Sequence, residues 1–96
     1  MRVRFHKRVQ ADLNEILEKY GEISEELAGD FFDEFQTGLL KVADNPRFYH
    51  FDASGLRRCN FDRFPYHFLY DIKGDYARVW VVRHNRRNPS WGLKRF

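Results

Sequence analysis

The chain's 96 residues, 43% of them hydrophobic and 32% charged, fit one globular domain over residues 1–96, and ten phenylalanines supply the apolar area for its core. Cys59 is the only cysteine, which excludes an intrachain disulfide and a thiolate metal cluster. No stretch opens like a signal peptide or reaches the roughly 20 apolar residues of a membrane span, so a soluble cytoplasmic protein with no membrane partner is expected.

In chain order, Val3-Arg4-Phe5 is a short alternating run that suits a strand. Val9, Leu13, Ile16, Leu17 and Tyr20 then fall on one helical face, and Gly21 is expected to end that helix in the left-handed conformation. Ser24 suits the N-cap of a second helix, with Glu25 and Glu26 complementing its positive end. Leu27, Phe31, Phe35, Leu39 and Val42 continue as an apolar stripe until Asn45-Pro46 stops it. The short link between the helices predicts an antiparallel hairpin.

After Asn45 the periodicity changes. Phe48 to Gly55 is expected to be a loop, and Leu56 to Phe61 a strand. Tyr66 to Ile72 alternates with period two, Lys73-Gly74-Asp75 is a tight turn, and Ala77 to His84 is a last strand. These three strands predict an antiparallel meander, followed by a basic tail that is irregular or briefly helical. The whole is an α+β domain: N-terminal strand, two-helix antiparallel hairpin, three-stranded meander. Phe31, Phe35, Leu39, Phe68 and Val81 are its expected core, with Tyr66 and Tyr70 on the face of Phe68. Trp80 is expected to alternate with Arg78 and Val82, and Trp91 to pack the tail onto the helices.

Charge is segregated along this order. Ala11 to Asp44 holds ten acidic and two basic residues, a local charge of −8, so the remainder carries +11 of the net +3. Ala77 to Phe96 contains no acid and six Lys or Arg. A positive surface suited to a polyanion or an acidic protein is expected there.

Several short motifs occur together in this order. They are Ala11-Asp12-Leu13 with Glu15-Ile16 and Tyr20; Leu27-Ala28, Phe32, Phe35 and Leu39-Leu40 closing on Asn45-Pro46-Arg47; Gly55-Leu56-Arg57-Arg58; Arg63-Phe64-Pro65-Tyr66 with Tyr70; and Val82-Arg83-His84-Asn85-Arg86-Arg87-Asn88-Pro89 with Trp91. Over almost its whole length the chain resembles the RelE/ParE toxin superfamily, in its ParE-like, plasmid-stabilisation branch. The resemblance implies a growth-inhibiting toxin of a type II toxin–antitoxin system, with a cognate antitoxin protein as partner in a hetero-oligomer. ParE-like members poison DNA gyrase without being enzymes. The alternative is a RelE-like endoribonuclease that cleaves messenger RNA on the ribosome; a third reading is an inactive member. RNA-cleaving relatives often carry an arginine where this chain has His67, and end near a tyrosine where this chain has His84 and then Trp91. Those departures, and the long hairpin, favour the gyrase reading.

The candidate target- or phosphate-binding residues are Arg57, Arg58, Arg63, Arg83, Arg87 and His67, because a guanidinium fork matches a phosphate. If the chain is a ribonuclease, His84 suits acid–base work and Arg86 the charge developing on the phosphate. His67, on the neighbouring strand, can share a face with His84. The histidines lack close metal-ligand spacing, so no metal and no cofactor are expected.

Overall fold

The computed structural model describes residues 1–96. Its elements are β1 (Arg2–Phe5), α1 (Val9–Gly21), α2 (Glu25–Asp44), β2 (Arg57–Asn60), β3 (Tyr66–Lys73), β4 (Tyr76–His84) and a 3-10 turn over Leu93–Arg95. The expected α+β order is observed. One sheet runs β1-β4-β3-β2, with β2, β3 and β4 as the antiparallel meander and β1 parallel to β4. A parallel pair needs a long crossover, and the helical hairpin supplies it. That connection lays both helices on one face of the sheet.

Local chemistry sets the element ends. Ser24 Oγ accepts the Leu27 backbone N–H at 3.0 Å and starts α2. The end of α1 differs from expectation: the helix includes Gly21, Glu22 after it is right-handed, and Gly21 has no positive φ. The hairpin closes instead through Ile23 and Ser24 N–H groups, both donating to the Tyr20 carbonyl at 3.0 Å. Gly74, at φ +59°, takes the first place in the β3–β4 turn, where a side chain would be strained.

The main core lies between sheet and hairpin. Val9, Leu13 and Ile16 of α1 and Phe31, Phe35 and Val42 of α2 meet Tyr66, Phe68, Tyr70, Val79 and Val82. Phe31 stacks on Phe61 at 4.6 Å and meets Tyr66 edge-on at 5.3 Å. Leu39 is only half-buried at the margin of this core.

A second, smaller core covers the other face: Leu56, Leu69, Trp80 and Val81, with Trp91 and Leu93 packed on it. Val81 therefore faces away from the hairpin, contrary to the expectation that placed it with Phe68. The cause is a β-bulge. Leu69 pairs with Val81 and Tyr70 with Val79, so Trp80 is the extra residue and the alternation of β4 shifts there. Trp80 and Val82 consequently do not share a face. Trp91 packs the tail onto this second core, where the expectation had placed it on the helices.

Candidate functional site

The site begins where β1 ends. Its last residue, Phe5, pairs with Val79, so the edge of β4 beyond that point has no neighbouring strand. Asp12 of α1 occupies the gap, and its Oδ2 accepts the Val82 N–H at 3.1 Å. Arg95 closes on the same carboxylate with two bonds, 2.6 and 2.8 Å. Asp12 is 6% exposed, and this fork ties the C-terminal tail to α1. Sequence reasoning missed Asp12 as a site residue. The available signal was an acid between Val9 and Leu13 on the apolar face of a helix.

On the sheet face away from the hairpin, Arg83 and His67 are register partners and are 4% and 1% exposed. Arg83 Nε donates to His67 Nε2 at 3.0 Å, so that nitrogen is unprotonated. His67 Nδ1 then carries the proton and donates to Asn85 Oδ1 at 2.8 Å. Burial lowers the His67 pKa to about 4; the Asn85 bond opposes this, while the Arg58 and Arg83 charges add to it. Arg83 Nη1 donates to the carbonyls of Pro89 and Trp91 at 2.8 and 2.9 Å, and Nη2 stands 3.9 Å from Asp52. Burial lowers the Arg83 pKa, opposed by Asp52.

Arg58 closes the network, donating to Asn60 and Asn85 and pairing with Asp52 at 3.5 Å. Burial alone would raise the Asp52 pKa, but bonds from Ser54 and the Arg83 and Arg58 guanidiniums hold it below the usual carboxylate range. Arg58, His67 and Arg83 thus satisfy one another, two side-chain amides, one carboxylate and the tail backbone.

Of the other candidates, Arg87 borders the cleft that Arg58, His67 and Arg83 line, and the rest lie apart from it. His84 pairs with Tyr66 on the hairpin side of the sheet, its ring edge-on at 4.9 Å. It does not share a face with His67, because adjacent β4 residues point to opposite sides. His84 Nδ1 accepts the Arg86 backbone N–H at 3.0 Å, which leaves Nε2 as the free ring nitrogen. Arg86 and Arg87 are exposed, and Arg87 stands 3.8 Å from Glu15 and stacks over Trp91 at 4.6 Å. His84, Arg86, Arg87 and Tyr66 line one groove of about 340 Å³ against Glu15, Ile16 and Lys19 of α1.

Arg57 and Arg63 belong to neither group. Arg57 donates to the Arg47 and Tyr49 carbonyls at 3.1 and 2.8 Å and lies over Phe51. Arg63 is exposed and pairs with Asp30 of α2 at 3.5 Å. The acid-free tail also finds acids across the fold: Arg83 with Asp52, Arg87 with Glu15 and Arg95 with Asp12. Arg86 remains an exposed cation without an ion pair. No group of His, Cys, Asp and Glu is arranged to hold a metal ion, and no helix is long and apolar enough to cross a membrane.

Residues 3–89 match the family model described as the ParE toxin of the type II toxin–antitoxin system, parDE. No curated protein sequence matches the chain. Among solved structures, the chain is similar to one from the chromosomal ParDE toxin–antitoxin system of P. aeruginosa. That match has a TM-score of 0.76 and 17% identity, covering 88% of this chain and 95% of the other. At that identity the likeness concerns the fold.

Proposed function

The chain belongs to the ParE toxin family of type II toxin–antitoxin systems, and from that premise we propose that it inhibits DNA gyrase by binding, as a single toxin domain over residues 1–96 that works without cofactor or metal. The observation that carries this reading is the hydrogen-bond saturation of the arginine–histidine centre, whose side chains are spent on one another although a cleft of about 400 Å³ opens beside them. An RNA-cleaving site needs guanidiniums free to take a phosphate and a group that exchanges a proton near neutral pH. Here Arg58 and Arg83 are already bonded to Asp52 and to tail carbonyls, and His67 is held neutral with both ring nitrogens engaged. The groups left to meet a target are Arg86, Arg87 and His84, around a groove that also presents Tyr66 and Ile16. That combination of charge, aromatic edge and apolar floor suits a protein surface.

The proposed regulator is a cognate antitoxin whose acidic segment neutralises the same cationic rim in a toxin–antitoxin hetero-oligomer, in the cytoplasm. Pull-down with the product of a neighbouring gene tests that partner.

A second reading is ribosome-dependent cleavage of messenger RNA. What favours it is His84, whose Nε2 is free beside Arg86 and Arg87. Supercoiling and translation assays on one preparation separate the two. The gyrase reading expects loss of supercoiling with messenger RNA left intact; RNA cleavage with unimpaired supercoiling refutes it. His84→Gln keeps polarity and removes proton exchange, so it is expected to spare gyrase inhibition.

A further inference from the structure

Below the bulge, the sheet face that the hairpin leaves open carries a second cationic surface. Val3, Ala77 and Val79 face the hairpin core, so Arg2 and Arg4 of β1 and Tyr76 and Arg78 of β4 face the other way. Arg4 and Arg78 are register partners on adjacent strands, an arrangement of like charges that destabilises a sheet unless something offsets it. Neither forms an ion pair. Asp71 stands opposite Arg78 on β3, but its oxygens are taken by Trp80 Nε1 at 2.9 Å and by Lys73 at 3.7 Å.

The two guanidiniums sit over aromatic rings, Arg4 over Tyr76 at 4.8 Å and Arg78 over Trp80 at 4.6 Å. A stacked guanidinium is preorganised and keeps its N–H edge for an acceptor. Arg78 Nε is the one buried side-chain polar atom in the chain without a hydrogen-bond partner. Orphan donors are rare in folded proteins. The residue is only half-buried, so an anion reaching its outer N–H groups can draw Nε into the same fork. His6 nearby supports a positive local field: burial lowers its pKa first, then the charges of Arg95, Arg78, Lys7 and Arg8.

We propose that Arg4 and Arg78 bind the sugar–phosphate backbone of a nucleic acid on the open face of β1 and β4. The surface is distinct from the His84 groove and does not depend on gyrase as the target. A nucleic acid fits better than an acidic peptide. The rings that could form a pocket for peptide side chains lie under the guanidiniums, whereas a phosphate needs only the forks. Arg2, which pairs with Asp75 at 3.2 Å, continues the row on β1, and alternate residues of a strand advance about 6.6 Å, comparable to the spacing of successive phosphates.

Anisotropy titrations of a short fluorescein-labelled DNA duplex, and of a single-stranded RNA of equal length, test this with the full chain. Binding to either is expected, weakening steeply between about 50 and 200 mM salt. Arg4→Ala with Arg78→Ala should lower affinity at least tenfold and reduce the logarithmic salt slope by about 2. Arg47→Ala, which removes an exposed arginine elsewhere, should leave it unchanged within about twofold. Thermal midpoints establish that the variants fold; if the double variant does not, Arg4→Gln at its exposed position decides by the same readout. The proposal is overturned if neither nucleic acid binds, if the variants bind like the parent chain, or if polyglutamate displaces the probe as readily as unlabelled duplex does.

Discussion

Arg83 and Arg86 leave the same end of β4 and meet opposite environments. Arg83 is buried among its acceptors, and removing it leaves His67 Nε2 and two tail carbonyls without their donor. Arg83→Met should therefore cost about 3–5 kcal/mol of folding stability, read from urea unfolding. Arg86→Ala with Arg87→Ala removes an unpaired cation and one exposed pair, so it should cost no more than about 1 kcal/mol.

His67 makes a separate prediction for pH. Its pKa is about 4 in the fold, against about 6.5 in an unfolded chain, so the unfolded state binds more protons between those values. Stability from this residue is fully present above pH 6.5 and lost as pH falls toward 4, by about 3 kcal/mol in all. Asp52, with its lowered pKa, acts in a lower window, losing its contribution as pH falls below about 4. His67→Gln should flatten the dependence between pH 6.5 and 4 while the acid limb persists; an unchanged slope in thermal midpoints would contradict the neutral, buried assignment. The sequence shows Arg83, His84, Arg86 and Arg87 clustered at the end of the last strand, with His67 on the neighbouring strand and Arg58 on the first strand of the meander. It does not show that Arg83 and His84 part to opposite faces, or that Asp52 and Asn85 consume the first group. Those facts depend on strand register and on a loop distant in sequence.

β4 is held differently along its length: β1 pairs its first half, and α1 borders the second through one carboxylate. Asp12→Ala would strip the Val82 N–H and the Arg95 fork together, with an expected loss of about 3 kcal/mol and early proteolysis of the tail after Asn88. Gly92 is the tail's second fixed point. Its φ is +83°, and a Cβ there would stand 2.7 Å from Val81 Cγ2. Gly92→Ala should thus lower stability by more than about 1 kcal/mol, with the tail loosened first. The helices and the meander were legible because their periodicities, near 3.6 in the hairpin and 2 along Tyr66 to Ile72, run over many residues. The parallel placement of β1 was not, since four residues carry no signal for the partner they choose. The Trp80 bulge was equally hidden: one inserted residue leaves composition and spacing intact yet moves Val81 to the second core.

Charge separates by side more than by sequence. The helices carry the acids, but three of them, or of their loop neighbours, reach across to neutralise Arg83, Arg87 and Arg95. Among the cations left without an ion pair are Arg86 at the rim of the groove and the Arg4–Arg78 pair on the open sheet face. A toxin built this way is expected to act by occupying a surface, with its strongest arginine network spent on holding the tail in place. Family membership makes the chain a ParE-family toxin, while the proposed target surface rests on the geometry of His84, Arg86 and Arg87. The most direct measurement is inhibition of supercoiling by purified gyrase, comparing the parent chain with Arg86→Ala/Arg87→Ala at matched thermal midpoints. The account predicts inhibition by the parent chain and at least a tenfold higher concentration for half-inhibition by the variant; a normally folded variant that inhibits as strongly as the parent contradicts it.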